Sequence, residues 1–480
     1  IRFVADGLTR IQTTHGGDQI AALVAPMASS EEGFLLAELL RGLGSANIDH
    51  RLRVVDAADR SAGATFEMPL ADVEKAAAIL LVGSNPRLDQ PLLGHRIRKA
   101  WKRGAMIDAV NPIDFDFHFE TASARIVEPW QMLDEVAAIA KAALELSGGS
   151  VDMVVAKLIA ESKVDDVHRA IAKRLLGASS SVLVFGDFAV QHPAASRLRA
   201  LARAVAQLTN TAFNEVASGA NGVGLARVGV VPGEGGASAA QILAQPRKAL
   251  LTWHAGSQDT LRSKAYDDAR SNAEFHVYVG AYACNGVKRT AHAVLPIGLA
   301  PEIDGSYVNV DGSVQIVAAG AKLPGEARAG WRVLRALGAA LGVSNFDFTD
   351  IADVRARMGG KLGAAVPMSA AMSDTTKSGV GLTRIATVPI YRADAVLRRS
   401  SALLATPLAQ PAGVALNPAD FLAAGLTQGG RAKVSDGTNT VELPAFADAG
   451  VPTGAAWVEL GHSETAALAP NGAGLTVTRV

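Results

Sequence analysis

Cysteine is almost missing from this chain. There is one, Cys284, in 480 residues. A single thiol forms no intrachain disulfide and cannot supply the four thiolates of an iron–sulfur cluster. A disulfide framework and a Cys-ligated cluster within one chain are therefore excluded. Net charge is missing too, because 46 Lys and Arg balance 46 Asp and Glu. That removes any global electrostatic argument for nucleic acid or an anionic surface. Hydrophobic residues make up 49% of the chain, yet no run of about 18 or more uncharged apolar residues occurs, so no membrane span is expected. No His pair has a metal-binding spacing such as HExxH. The chain opens on Ile1, with neither Met nor a secretory leader pattern, and reads as a piece of something longer.

What is present is length and alternation. A chain of this size supports two to four domains with sizeable cores. Residues 1–10 read as the end of a helix. Apolar runs at 20–25, 78–82, 105–110, 182–185, 249–253 and 275–279 have the length of buried strands. Helical patterns follow at 91–102, 194–208 and 259–270, and Ser29 or Ser30 can cap a helix carrying Phe34, Leu35, Leu39 and Leu40. Strand, helix, strand alternation implies βαβ units and parallel sheets. Residues 131–176 read as helical with a break at Gly148-Gly149. Residues 359–383, rich in Gly, Ala, Ser and Met, read as a long loop, and 393–404 as a helix. Beyond Asn417-Pro418, an N-cap followed by a first-turn proline, short β-rich runs at 431–434, 440–443, 456–460 and 475–480 suggest a small barrel.

One stretch organises the rest. Runs 306–310 and 313–317 flank Asp311-Gly312, a hairpin signal that predicts a type I′ turn. Gly305 gives the backbone room to bend into the first strand. After Pro324 the period becomes helical, with Trp331, Leu334, Leu337 and Leu341 on one face. The literal strings GSYVN (305–309), DGSVQ (311–315) and GEARAGW (325–331) closely resemble the family of large peripheral-arm subunits of respiratory complex I, within the wider molybdopterin oxidoreductases. So do NIDHRLR (47–53), LLVGSNPRLDQPLLGHRIR (80–98) and IYRADAVLRRSSALLAT (390–406), and 415–425 resembles the opening of the superfamily's last barrel.

The resemblance implies an α/β fold: two Rossmann-like parallel-sheet domains, one inserted in the other, plus a small C-terminal β-barrel. By that analogy residues 1–68 and 246–345 form the discontinuous domain, 69–245 the insert, 346–410 a linker and helix, and 411–480 the barrel. It implies a scaffold part of an NADH:quinone oxidoreductase, without chemistry of its own. The parent subunit would carry 2Fe-2S and 4Fe-4S clusters upstream, with none in this chain. Its partners would be other complex I peripheral-arm subunits, on the cytoplasmic side of a bacterial inner membrane, without nucleic acid and without direct membrane insertion. Two other readings stand beside it: a molybdenum–pterin oxidoreductase subunit, and a free-standing binding module.

Candidate site residues follow from the same strings. Gly83-Ser84-Asn85-Pro86 sits between a strand and a helix, where such turns bind phosphate or pterin groups or merely reverse the chain. Asn111 ends the next strand. In cofactor-bearing relatives an Asn-x-x-Gly loop approaches the pterin, which marks Asn221, Gly222 and Gly224 as a remnant of that wall. Neither 219–224 nor 233–236 has the Lys-Ser/Thr ending of a P-loop. Catalytic relatives carry Asn-Ser-Arg-Leu-Cys, whose cysteine ligates molybdenum. Here Asp49-His50-Arg51-Leu52-Arg53 stands in its place, and a guanidinium has no lone pair to give. Arg53 is expected to fill the old cleft or to pair with a carboxylate, and no metal is expected. The basic run 95–103 reads as a helix surface, solvated or partner-facing, rather than a nucleic-acid patch. His15, His95 and His192 read as structural, Cys284 as idle, and Asp114, Asp116 and Glu120 as scattered.

Overall fold

The computed structural model describes residues 1–480. Aliphatic runs form strands that need cover on both faces, and the topology provides it. β1 (Ile20–Val24) and β2 (Ile48–Asp49) begin one sheet. β3 (Ala78–Val82), β4 (Met106–Asn111), β5 (Ser123–Ile126), β6 (Ser181–Phe185) and β7 (Ala212–Glu215) build a second. The chain then returns to the first with β8 (Ala249–Trp253), β9 (Phe275–Gly280) and β10 (Ala293–Pro296). Both sheets are parallel throughout, in the orders β10-β9-β8-β1-β2 and β5-β4-β3-β6-β7. One Rossmann-like sheet interrupts another. The central strands β1, β3, β6 and β8 are buried along their whole length.

Helices cover both sheets. Ser29 caps Ser30–Gly42 through a capping box with Glu32. Leu35, Leu36, Leu39 and Leu40 of that helix pack with Trp253, Val277 and Leu334 in the largest core. Trp331, Leu334 and Leu337 lie on the buried face of Gly330–Ala340, and Leu341 packs against the same core. The expected insert runs to residue 245, but Leu225, Val228 and Val230 pack into the first sheet's core, and Ala239, Ile242 and Leu243 pack beside Ala21 and Leu23 of β1. The stretch from about residue 222 therefore belongs with the first sheet. The expected linker begins inside that core as well: Phe346, Phe348, Val354 and Met358 are buried there.

The hairpin forms from β11 (Gly305–Val308) and β12 (Val314–Val317), paired antiparallel with Val308 opposite Val314. The turn is not type I′. Only Gly312 has a positive φ (86°), and its N–H bonds the Asn309 carbonyl at 2.9 Å. A type I turn closed by a left-handed glycine accounts for this, so Asp311 keeps an ordinary φ and bonds Ser313 instead. Gly305 also differs from expectation. A Cβ there would lie 2.9 Å from the Ser29 Cβ, so its value is close approach to the helix cap.

Two helical expectations fragment. Residues 131–176 break twice, at left-handed Gly148 and again before Asp165, which caps Asp166–Gly177. Residues 393–404 are separate single turns, Leu397–Arg399 and Ser401–Leu404. The Asp394 and Ser400 side chains take backbone N–H groups and start the chain afresh each time.

The barrel closes from β13 (Leu382–Ile385), β14 (Val414–Leu416), β15 (Arg431–Ser435), β16 (Thr440–Ala447), β17 (Ala455–Trp457) and β18 (Gly474–Arg479), in the order β13-β17-β14-β16-β15-β18. It seats on the inserted sheet through Ile385, Val451 and Ala455, which share a core with Leu183, Phe185 and Phe188. The fully buried Arg384 donates to the carbonyls of Val458, Leu468 and Glu459, tying the loop 458–469 to β13.

Candidate functional site

Each parallel sheet has a point where strand order reverses, and ligands bind there, outside the carboxyl ends of the strands. In the inserted sheet the reversal lies between β3 and β6. The turn after β3 is Gly83-Ser84-Asn85-Pro86, and Gly186 follows β6. The two loops touch. A Cβ on Gly83 would lie 2.6 Å from the Ala189 nitrogen, and one on Gly186 would lie 2.3 Å from the Ser84 Cα. Asn111, at the end of β4, clamps the turn: its Oδ1 accepts the Ser84 N–H at 2.8 Å and its Nδ2 donates to the Ser84 carbonyl at 3.1 Å. Gly83 and Asn111 thus hold backbone at this turn.

The first sheet reverses between β1 and β8, and another asparagine plays the same part. Asn221 is fully buried. Its Nδ2 donates to the Ala28 carbonyl at 2.8 Å, its Oδ1 accepts the Val308 N–H at 2.9 Å, and its own N–H bonds the Pro26 carbonyl. The loop after β1 is thereby fastened to the hairpin. Gly224 must be small, since a Cβ would sit 2.2 Å from the Asn221 Oδ1. Gly222 has room, 3.6 Å from the Ala217 Cβ, and borders a small gap between the two sheet units.

That gap is about 40 Å³, lined among others by His50, Arg51, Asp56, Ser61, Arg199, Glu215 and Gly222. The chain's own polar groups fill its surroundings. Arg199 bonds Glu215 at 2.8 Å and also Asp59, with all three largely buried. Burial alone would lower the arginine's pKa, and the Glu215 and Asp59 carboxylates turn the shift upward. Asp56 Oδ2 accepts from the Ser196 N–H at 2.8 Å and hydroxyl at 2.6 Å. The Ser196 hydroxyl accepts the Ser373 N–H at 2.9 Å, and the Ser369 N–H reaches the Asp59 carbonyl at 2.8 Å. The stretch expected as a long loop is stitched across the domain boundary here.

Arg53 neither fills this gap nor makes an ion pair. Its Nη2 donates to the Ala393 carbonyl at 2.7 Å, fastening the broken helical stretch 390–404. Close by, Arg398 and Asp259 form a buried pair at 2.7 Å. The basic run also finds its partner within the chain. Arg96, Lys99 and Arg103 converge on Glu74, whose pKa those bonds, Arg96 first, draw down to about 2. His192 donates from Nε2 to the Pro129 carbonyl at 2.9 Å, and burial holds its pKa down to about 4.

Asn85 faces the largest cavity met by any candidate, while Gly222 also borders a pocket of about 190 Å³. The largest cavity measures about 570 Å³ and lies between the inserted sheet and the barrel. Its walls include Phe115, Phe188, Phe446 and Trp457, with Asp89 and Asp187 at the strand-reversal point. The named candidates therefore do not converge on one site. Asp89 and Asp187, which do come together, carry no sequence signature, because the fold alone brings the β3 and β6 loops side by side.

A family model described as molybdopterin oxidoreductase matches residues 1–340. The chain is 26% identical over 349 residues to the NADH-ubiquinone oxidoreductase 78 kDa subunit of Neurospora crassa, covering 71% of this chain and 42% of that one. It is 23% identical over 351 residues to the 75 kDa subunit of Reclinomonas americana, covering 69% and 45%. The chain thus spans less than half the length of these curated relatives. A 136-residue stretch is 32% identical to the assimilatory nitrate reductase catalytic subunit of Bacillus subtilis, covering 27% and 18%. Among solved structures, acetylene hydratase from Pelobacter acetylenicus superposes with a TM-score of 0.72 at 12% identity, covering all of this chain and 88% of that one.

That family description implies a molybdenum–pterin group, and the residues at the metal-ligand position and around the Arg199 gap do not fit it. Arg53, which stands where a metal-binding thiolate is expected, is spent on the Ala393 carbonyl, and a guanidinium has no lone pair to give. Asn111 and Asn221 are spent on backbone, while Asn85 keeps an unpartnered Oδ1. The one thiol, Cys284, is exposed at the start of the Asn285–Thr290 helix.

Proposed function

This chain belongs to the molybdopterin oxidoreductase family, and from that premise we propose that it is a cofactor-free scaffold: the C-terminal portion of the large peripheral-arm subunit of an NADH:quinone oxidoreductase, complex I. In this reading it supports iron–sulfur domains that lie upstream in the parent subunit and presents surface to other peripheral-arm subunits. It sits peripherally on the membrane-bound assembly, on the cytoplasmic face of a bacterial inner membrane. No helix is long and apolar enough to cross a membrane.

One observation carries the reading. The space between the two Rossmann-like units is occupied by Asp56, Ser196, Asp59, Arg199 and Glu215 bonded to one another and to segment 369–373. Such a network rigidifies a domain boundary, which supports a structural role. Apolar side chains stand out from the surface, Phe3 at 61% and Ile316 at 69% exposure, as docking against neighbours requires.

The rival reading, a molybdenum–pterin oxidoreductase subunit, draws on the short stretch shared with nitrate reductase. Both are tested by expressing the chain, tagged, within its own subunit in its host grown with molybdate. The scaffold reading expects the tagged subunit to co-purify with NADH:quinone oxidoreductase activity, without molybdenum or pterin fluorescence. Stoichiometric molybdenum with a pterin overturns it.

A further inference from the structure

The cavity between the inserted sheet and the barrel has a feature the closed boundary lacks: carboxylates with no ion pair. Asp89 sits in the loop after β3, and Asp187 opens the short segment after β6. Burial and the Asp187 charge raise the Asp89 pKa well above the usual carboxylate range, and burial raises that of Asp187 against the pull of Arg53. Each uses one oxygen. Asp89 Oδ2 accepts the Asn85 N–H at 2.9 Å, and Asp187 Oδ2 accepts from Gln191 Nε2 at 2.5 Å. Their Oδ1 atoms bond no protein donor and are not sealed from the cavity. Neither carboxylate has a Lys, Arg or His within ion-pair distance; Arg87, the cation on the wall, is taken by Asp116 at 2.8 Å. Asn85 lines the same wall, nine-tenths buried, with its Oδ1 unpartnered.

The polar equipment at this end is thus acceptor-rich and anionic. The same cavity is lined by Phe115, Phe188, Phe446 and Trp457, rings that attract cations and pack apolar bodies. A volume of about 570 Å³ lies within the range of small-molecule sites. Anions are repelled by such a wall. No three His, Cys, Asp or Glu side chains are arranged to hold a metal ion.

We propose that this cavity binds a small organic cation, with an amidinium, guanidinium or ammonium head seated between Asp89 and Asp187 and an apolar or aromatic body against Phe115, Phe188, Phe446 and Trp457. The site is independent of the scaffold reading, since none of the residues that close the domain boundary takes part.

The test uses benzamidine as the cation and benzamide as its neutral counterpart, titrated calorimetrically into the full chain at neutral pH. The expected result is saturable benzamidine binding at one site, at least roughly tenfold tighter than benzamide. Asp187→Asn and Asp89→Asn should each weaken benzamidine by roughly tenfold or more and leave benzamide unchanged. Absence of benzamidine binding at millimolar concentration overturns the proposal. So does equal binding of the two probes, or full affinity in a folded variant. If one variant does not fold, the other variant and the wild-type comparison of the probes still decide.

Discussion

Two clefts of this molecule invite comparison. The gap beside Arg199 at the boundary of the Rossmann-like units holds only about 40 Å³, and the carboxylates around it are matched: Asp59 and Glu215 by Arg199, Asp56 by Ser196. The cavity under the barrel keeps about 570 Å³ and leaves Asp89 and Asp187 without a direct ion pair, Arg53 acting on Asp187 only from a distance. Burying a carboxylate is costly in either place. In the first the fold compensates the cost locally, and such groups are explained by stability alone. In the second it does not, and an uncompensated buried pair needs another reason to be there. Pairing, more than burial, separates residues that hold this fold from residues available for recognition.

Arg199→Met should break the comparison hardest. It leaves Asp59 and Glu215 buried without their cation, a loss on the order of 3–5 kcal/mol. Urea unfolding followed by circular dichroism measures it, and a loss under about 1 kcal/mol would mean that water already serves those carboxylates. Gly186→Ala comes next. Its Cβ would fall 2.3 Å from the Ser84 Cα, and that contact is with backbone that cannot swing aside, so about 1–3 kcal/mol is expected. Ser196→Ala removes the hydroxyl between Asp56 and the Ser373 N–H. About 1–2 kcal/mol is expected, with faster proteolysis in 364–378, because that segment loses an anchor.

How much of this was legible in the sequence depends on which forces acted. The apolar runs 78–82 and 249–253 became β3 and β8 because a buried parallel strand is written in its own residues. Ser123–Ile126 and Ala212–Glu215 are short, partly polar edge strands whose pairing comes from their neighbours, and neither was foreseen. Barrel strands Leu382–Ile385 and Val414–Leu416 were hidden for the same reason, the first at the edge of what read as a loop. The family strings foretold the interrupted topology, yet Leu225 and Ile242 were assigned to the wrong sheet, since tertiary packing rather than local pattern decides that. The hairpin's pairing followed from Asp311-Gly312, while its turn type hung on the φ of one residue. At the site, Gly83, Asn111 and Asn221 were found by resemblance, but only their hydrogen bonds reveal them as clamps. Asp89 and Asp187 lie far apart in sequence, and no spacing rule joins loops that meet across a strand reversal.

The smallest effect is the sharpest discriminator. Burial raises the pKa of Asp187, against the pull of Arg53, and raises that of Asp89 through burial and the Asp187 charge. A carboxyl whose folded pKa exceeds its unfolded value binds its proton more tightly when folded. Its stabilising contribution is complete below the unfolded pKa, near 3.8, and is lost as pH rises through the folded value. Besides Arg53, the charged groups facing this pair are Arg87, Asp114, Asp116, Asp448 and Glu459 on the cavity wall, and all are retained in a variant at position 187. Asp187→Asn removes one member of the pair while keeping an acceptor for Gln191. Its stability relative to wild type should therefore rise from pH 4 to pH 7, by less than Ser196→Ala loses. Urea midpoints at several pH values measure the difference, in which the titrations of distant groups cancel. A difference that falls with pH would mean that Asp187 is compensated after all, and the contrast between the two clefts would fail at the residue on which it turns.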